Sequence, residues 1–202
     1  MISRYLFLGV CLLLFNCKNK DSQPVTITDV SKVPLSYAEG FEITHHENFS
    51  TLTINSPWPN AEKTYRYALV HKNMLPKITL NNDEFDGIIT IPVKKIVVTS
   101  TTHIPALELL VDKGKVRELG KNEGINTEVL LEIQPEVVIG FGIDGNNKTF
   151  ETIKKSGIPV IYNGDWIEHS PLAKAEWIKF FGVLFNKRQK ADSIFNTIEK
   201  NY

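Results

Sequence analysis

Cysteine is scarce in this sequence of 202 residues, and the two that occur, Cys11 and Cys17, both lie near its start. The rest of the chain therefore has no disulfide, no thiolate metal site and no cysteine nucleophile. Neither sign of charge is in excess, because 23 Lys and Arg residues balance 23 Asp and Glu residues. This balance gives no basic surface of the kind that binds nucleic acid, so we expect no nucleic-acid partner.

Long apolar runs are also missing, since the longest one, Tyr5 to Phe15, is shorter than the ~20 residues that span a bilayer. Arg4 precedes this run, and the order is typical of a secretory signal peptide over residues 1–16. Cys17 follows at once, with Leu14 three residues upstream, as in a bacterial lipobox; Asn16 departs from the usual small residue. We predict an acylated Cys17 that anchors the protein in a membrane, at the periplasmic face or the cell surface. An ordinary signal peptide or a single-pass anchor is the alternative.

Motifs of hydrolases and nucleotide-binding proteins are absent as well. The sequence contains no Gly-x-Ser-x-Gly, no His-Glu-x-x-His and no Gly-x-Gly-x-x-Gly. Ser100 and His103 form the only pairing that a tethered hydrolase could use, and that alternative stays open. We predict a protein that is not an enzyme and has no cofactor.

Residues 17–40 are predicted to be a lipid tether and linker. The region that follows them is predicted to be β-structure. Phe41 to Asn55 and Tyr65 to Lys72 are predicted strands, and "FSTLTINSP" alternates apolar and polar residues with one slip. The intervening "SPWPNAEK" has two prolines and an asparagine, so it is predicted to be a turn. Trp58 is expected to be buried within this turn rather than to bind a ligand. We predict an antiparallel β-hairpin region over residues 41–93.

From Lys94 the residue pattern changes, and it predicts short apolar strands that alternate with helices. The predicted strands are Ile96 to Val98, Val137 to Phe141 and the one in "IPVIYNG", with "KVREL" as a candidate second strand. Helices are predicted at Pro105 to Val111, "NTEVLLEI" and "KTFETIKKSG". Such alternation predicts an α/β lobe over residues 94–169, with a parallel sheet and helices on both faces.

The final segment, residues 170–202, reads as one long helix that Ser170 and Pro171 open as cap and first residue. Its apolar stripe has helical spacing and consists of Trp177, Phe181, Leu184, Ala191, Phe195 and Ile198.

Ligands of parallel sheets bind at the carboxyl ends of the strands, which here are Thr99 to His103, Phe141 to Asn147 and Asn163 to His169. The candidate ligand-binding residues are therefore Thr101, Thr102, His103, Phe141, Ile143, Asp144, Asp165 and Trp166. Each of these residues also has an alternative interpretation without a ligand. His103 would be a surface histidine, the loop that carries Phe141, Ile143 and Asp144 would be a plain glycine turn, and Trp166 would pack at the rim of its own lobe. Neighbours on one loop seldom converge on an ion, so we predict no metal site among Asp165, Glu168 and His169.

Four stretches together resemble a known family. "GINTEVLLEIQPEVVIGFG" resembles the motif of bacterial substrate-binding proteins for iron chelates, haem and cobalamin, the class III periplasmic binding proteins with a helical backbone. "IVVTSTTHIPALELL" is similar to their first strand, loop and helix. "SPWPNAEKTYRYALV" and "DWIEHSPLAKAEWIKFFGVLFNKRQKAD" resemble the longer lipoprotein members of the Bacteroidetes group.

The resemblance implies a solute receptor that binds a metal chelate and passes it to the permease and ATPase of an ABC importer. It implies two α/β lobes joined by a long helix, and it makes Glu128 the residue that docks on the permease. The alternative reading of Glu128 is a favourable residue in the first turn of a helix. A zinc or manganese receptor of the same class is the alternative function.

Two departures from the family set further expectations. The sequence given stops at Tyr202, so that residues 170–202 would be the start of the interlobe helix and the second lobe would be missing. The stretch from Leu110 to Val116 is shorter than in the family and leaves no room for both a strand and a site loop. Either departure is also compatible with a truncated, non-functional remnant.

Overall fold

The computed structural model describes residues 30–111, 116–118 and 125–202. In these ranges the chain forms two sheets, each built from consecutive strands. The strands of the first sheet are β1 (Ser31–Lys32), β2 (Phe41–His45), β3 (Ser50–Ile54), β4 (Tyr65–His71) and β5 (Gly87–Ile91). Those of the second are β6 (Ile96–Val98), β7 (Val116–Glu118), β8 (Val137–Gly140) and β9 (Val160–Tyr162).

The first sheet contains the predicted antiparallel pairing on either side of the turn after residue 55, but the predicted strand Phe41 to Asn55 is two strands, β2 and β3. Strands β1 and β5 are further additions. Strands β1 to β4 pair antiparallel in chain order, with Ile43 opposite Leu52 and Leu52 opposite Tyr67. Strand β5, which the sequence does not predict, pairs with β4 in parallel. The segment between them covers one face of the sheet, where Phe85 packs near Phe49.

The second sheet is the predicted parallel sheet, in the order β7-β6-β8-β9. Helices α1 (Ile104–Leu110), α2 (Thr127–Ile133) and α3 (Lys148–Lys155) alternate with its strands. The predicted bounds hold to within a residue for β6 and β8. The hydroxyl of Tyr67 in β4 donates to the carbonyl of Val160 in β9 at 3.0 Å, so the two sheets share a core.

Side chains that precede the helices explain where these helices begin. The side-chain oxygens of Asn126, Asn147 and Ser170 each accept the backbone N–H three residues further on, at 3.1, 3.0 and 3.0 Å. These bonds satisfy N–H groups that have no partner inside the helix. Gly157, with a φ of 85°, follows the end of α3 as predicted.

The prediction of a single helix from Ser170 is wrong, because the segment forms three helices. These are α4 (Pro171–Glu176), α5 (Ile178–Leu184) and α6 (Arg188–Asn201). The chain turns sharply at Asn186, whose φ is 54°, and Gly182 lets α5 and α6 approach closely. A Cβ atom at Gly182 would lie 2.6 Å from the Cβ of Ala191. The described chain still ends in a long helix, α6, whose Ala191 and Phe195 are buried as predicted.

The segment 36–40, which the sequence assigns to the linker, is bound to the helical end of the protein. Backbone N–H groups of residues 36–38 donate to the carboxylate of Glu176, and those of residues 39–40 donate to the carboxylate of Glu168. Both carboxylates are buried, with 0% and 7% exposure. We call this arrangement the carboxylate clasp. It makes residues 36–40 part of the folded body.

No helix in the described part of the chain is both long and apolar enough to cross a membrane.

Candidate functional site

A cavity of about 400 Å³ opens at the carboxyl ends of β6, β8 and β9. Residues from all three strand ends line it: Ser100, Thr102, His103, Phe141, Ile143, Asp165 and Trp166. Six of these are candidates from the sequence; Ser100 is the addition. Of the other two candidates, Thr101 is exposed and does not line the cavity, and Asp144 lies in a neighbouring one.

The first wall follows β6. Ser100 caps the short turn Thr101–His103, and its Oγ lies 2.8 Å from Oγ1 of Thr102. His103 is 1% exposed, with its ring 5.8 Å from the ring of Phe181, and its buried Nδ1 has no hydrogen-bond partner within the described ranges. Burial lowers the pKa of His103 to about 4, because an apolar site disfavours the charged ring. A neutral imidazole therefore faces the cavity at pH 7.

The second wall is the glycine loop after β8, which carries Phe141 and Ile143. This loop lies directly on Trp58, and Cβ atoms added at Gly142 and Gly145 would lie 2.2 and 2.7 Å from the indole. Trp58 is 8% exposed, as expected for a side chain buried in a turn. Only glycine permits this contact. The indole therefore fixes how closely the loop packs on Trp58, and this in turn positions the side chains of Phe141 and Ile143 at the cavity.

The third wall follows β9 and carries Asp165 and Trp166 on a short 3₁₀ turn. The N–H of Asp165 donates to Oδ1 of Asn163 at 2.8 Å, and the side chain of Trp166 is 41% exposed. Burial raises the pKa of Asp165 to about 6. Glu168, at the end of the turn, belongs to the carboxylate clasp, where its Oε1 accepts Nε1–H of Trp177 at 2.9 Å. The clasp thus fixes the turn that presents Trp166.

A second, smaller cavity of about 270 Å³ lies beside the first, between the glycine loop and Tyr162. Asp144 lines it, and its Oδ1 accepts the N–H of Asn146 at 3.1 Å. Phe141 and Ile143 line both cavities. Asp144 is therefore near the first cavity without forming its wall.

Neither of the two chemical alternatives assembles at these strand ends. Oγ of Ser100 is close to Thr102, while Nδ1 of His103 has no partner, so the pair shows no hydrogen bond of a nucleophile to a base. Within residues 30–111 and 125–202, no three His, Cys, Asp or Glu side chains converge as metal ligands. Glu168 is held by the clasp, and His169 is exposed.

Glu128 lies apart from the cavity, in the first turn of α2, and it is exposed. Its helix also exposes two apolar side chains, Val129 at 36% and Leu131 at 52%. A carboxylate in this position is favoured by the helix dipole and can accept a bidentate arginine. Cys17 lies outside the described residues.

The sequence hints at most of the cavity but not at what supports it. The only sign in the sequence that Ser100 lines the cavity is that it is a polar residue near the end of a strand. Trp58 supports the second wall from a distant part of the chain, and Trp177 supports the third wall through Glu168, nine residues before it. The one signal of the Trp58 contact is the pair of glycines at 142 and 145, which marks a close approach without naming its partner.

No family model matches the sequence. The chain is 23% identical over 224 residues to the uncharacterized lipoprotein MJ0878 of Methanocaldococcus jannaschii, an alignment that covers 89% of this chain and 52% of that protein. It is 38% identical over 88 residues to the uncharacterized protein MJ0642 of the same organism, covering 43% of this chain and 26% of that protein. The chain thus spans about half the length, or less, of these curated relatives.

Two solved structures overlap with about half of this chain. One is the triscatecholate siderophore binding protein FeuA of Bacillus subtilis, complexed with ferri-bacillibactin: 20% identity, TM-score 0.45, 56% of this chain and 45% of that chain. The other is a periplasmic heme binding protein of Pseudomonas aeruginosa: 14% identity, TM-score 0.45, 54% of this chain and 44% of that chain.

Proposed function

We propose that this chain forms one lobe of an extracytoplasmic solute receptor, which binds a metal chelate for an ABC importer. The chelate is an iron chelate, haem or a corrinoid, and the cavity at the carboxyl ends of β6, β8 and β9 is its site. The observation that carries the proposal is the convergence of six candidate residues, from three strand ends, around one cavity.

The make-up of the cavity suits a flat or bulky chelate. Phe141, Ile143 and Trp166 supply apolar and aromatic surface, while Ser100 and Thr102 supply hydroxyl groups. Ligand sites combine such apolar surface with a few placed polar groups. The exposed indole of Trp166 is available for stacking on a conjugated ring. The sequence motif around "NTEVLLEIQPEVVIG" supports the same class of receptor.

The receptor would be tethered through Cys17 and would dock on the permease through Glu128. The apolar run before Cys17 supports the tether, and so does the similarity to MJ0878, which is described as a lipoprotein. A tether raises the effective concentration of the receptor at its importer. Cells that express Cys17→Ser should release the protein from the membrane fraction, whereas wild-type chain should stay in it; equal partition of both would contradict the anchor.

A zinc or manganese receptor and a hydrolase are the other candidates, and the geometry favours neither. The described residues offer no cluster of metal ligands, and Ser100 does not pair with His103. Binding without catalysis is the proposal that uses the cavity as it stands.

The test is a titration of the full chain in detergent micelles with coloured chelates: haem, cobalamin and a ferric trihydroxamate. We expect saturable quenching of tryptophan fluorescence by at least one of them, corrected against free tryptophan. Trp166→Phe should weaken that affinity by about two- to tenfold, the scale of one aromatic contact. Tyr202→Leu, which removes an exposed aromatic ring elsewhere, should leave it unchanged. If no chelate gives saturable quenching, the proposal fails.

A further inference from the structure

The turn between β3 and β4 extends from the first sheet to the loops that form the cavity. We call its four residues, Ser56, Pro57, Trp58 and Pro59, the proline turn. The ring of Trp58 lies 5.3 Å from that of Tyr162, the last residue of β9. The four residues lie outside the lining of the cavity, yet the turn contacts two of its three walls.

The proline turn contacts the second wall through the indole of Trp58. Cβ atoms at Gly142 and Gly145 would overlap this indole, so the backbone of the glycine loop packs directly on it. Gly142 stands between Phe141 and Ile143, the two side chains that this wall presents to the cavity. The position of the indole therefore limits where the backbone that carries both side chains can lie.

The proline turn contacts the third wall through its own backbone. A Cβ atom at Gly164 would overlap the carbonyl oxygen of Ser56. Gly164 directly precedes Asp165 and Trp166, which line the cavity. The φ of Gly164 is −104°, which other residues also adopt, so the close contact and not the backbone conformation calls for glycine here.

The proline turn is itself held in place by the carboxylate clasp. The N–H groups of Asn55 and Ser56 donate to the carbonyl of Gly40 at 2.9 and 3.4 Å. The N–H of Gly40 in turn donates to the carboxylate of Glu168 at 2.9 Å. The two prolines each fix a φ angle, on either side of Trp58. A turn with so few free torsions can keep two contacting loops at a set distance.

The second and third walls are thus joined at two levels. At their base, the pairing of β8 with β9 joins them, and the N–H of Asn163 donates to the carbonyl of Gly140 at 2.7 Å. Past this bond, the chain leaves β8 as the glycine loop and leaves β9 as the 3₁₀ turn that carries Trp166. The span from Ser56 to Trp58 joins these two segments a second time, and it belongs to the other sheet.

Building on the proposed function, we infer that the proline turn is a spacer that sets the distance between the second and third walls, and thereby the width of the cavity. Ser56 and Trp58 are positioning residues for the ligand, because they act on it through the glycines that they contact. The first sheet thus takes part in binding through this support. A site whose supporting residues are loose binds poorly even when every contacting side chain is present.

The spacing can be measured without any ligand. Spin labels at Asp144→Cys and His169→Cys occupy exposed positions, one on the glycine loop and one just past the third wall. The full chain, with its two native cysteines replaced by serine, is the parent protein in detergent micelles. Double electron–electron resonance then gives the distribution of distances between the labels. We expect one narrow distribution in the parent, and a shifted or broader one in both Trp58→Leu and Gly164→Ala.

Two matched variants serve as controls. Phe49→Leu also removes a buried aromatic ring, but from the separate cluster in which Phe49 packs near Phe85. Gly87→Ala adds a methyl group that would meet nothing closer than 3.4 Å. Both should keep the distribution of the parent. Circular dichroism and urea unfolding check that each variant is folded and how much stability it has lost.

The same proteins are then titrated with haem, cobalamin and a ferric trihydroxamate, followed by absorbance. For any chelate that binds the parent, Trp58→Leu should weaken the affinity and Phe49→Leu should leave it unchanged. Because Trp58 lies outside the cavity lining, such a loss would come through the walls and not through a lost contact with the chelate.

The outcomes separate the two proposals. An unchanged distribution in folded Trp58→Leu and Gly164→Ala, or an equal change in Phe49→Leu, overturns the spacer. Unchanged affinity in Trp58→Leu, despite a changed distribution, overturns the positioning role of Trp58. If the distributions change as expected but no chelate binds the parent, the receptor proposal fails while the spacing of the walls by this turn stands.

Discussion

The carboxylate of Glu176 accepts the backbone N–H of Ala38 at 2.9 Å, across 138 residues of sequence. The same carboxylate accepts Nζ–H of Lys179 at 2.7 Å, and both side chains are buried. A buried charge is tolerated only where it is paired and hydrogen-bonded, and Glu176 meets both conditions. The start of the described chain is thus fastened to helix α4 by an ion that water does not reach.

Glu176→Gln should lower the free energy of unfolding by about 3 kcal/mol, because it leaves the Lys179 ammonium buried without a counter-charge. Urea unfolding followed by circular dichroism measures the change. Glu62→Gln, which alters an exposed side chain, should cost less than about 0.5 kcal/mol. Adding Lys179→Met to Glu176→Gln should restore part of the loss. If the single variant is as stable as wild type, the buried ion pair does not stabilise the fold.

His103 should make stability depend on pH. Its folded pKa of about 4 lies below the ordinary value of 6.5, so the unfolded chain binds the proton more readily between these values. This stabilising contribution is complete above pH 6.5 and is lost as the pH falls towards 4, up to about 3 kcal/mol in all. Urea midpoints measured from pH 7.5 to 4 should show the slope. His103→Gln should flatten it and His71→Gln should not; equal slopes in the two variants would contradict the assignment.

Gly142→Ala should disturb the glycine loop, because its Cβ would lie 2.2 Å from Cε3 of Trp58. We expect a loss of about 1–3 kcal/mol in unfolding free energy, the cost of overpacking, together with weaker chelate binding. Gly87→Ala is the control, since its Cβ would meet nothing closer than 3.4 Å. Should both alanines have the same small effect, the Trp58 contact is not what fixes the loop.

Glu128→Lys should abolish chelate uptake in cells whose own gene carries the substitution, with fold and chelate affinity of the purified chain unchanged. In the proposed docking, the reversed charge would repel an arginine on the permease, and it would also oppose the helix dipole. Glu132→Lys makes the same change one turn later on the same helix, at an exposed position. It should reduce uptake less. Normal uptake by Glu128→Lys cells would remove this residue from the docking surface.

Local patterns in the sequence predict the α/β lobe well. The short apolar run at Ile96–Val98 and the cap Ser170 are signals contained within a few residues, and the structure confirms them. The cavity could be located for the same reason, since parallel strands bring their carboxyl ends to one edge. Locating the cavity required only that the strands be parallel and that the residues at their carboxyl ends be identified.

The parts that the sequence does not predict depend on contacts between distant residues. Strand β5 begins with Gly87 and joins β4 in parallel, a pairing that no hairpin signal announces. The break between α5 and α6 arises where Gly182 packs against Ala191, so a continuous apolar stripe concealed a turn. The sequence also gives no sign that Glu168 and Glu176 accept hydrogen bonds from residues 36–40, which lie more than a hundred residues earlier.

The carboxylate clasp also has a consequence for the cavity. Residues 36–40 connect β1 to β2, and their backbone N–H groups donate to Glu176 and Glu168. Glu168 ends the turn that begins at Asp165 and holds Trp166. One carboxylate, that of Glu168, thus joins the linker between the first two strands to the rim of the cavity.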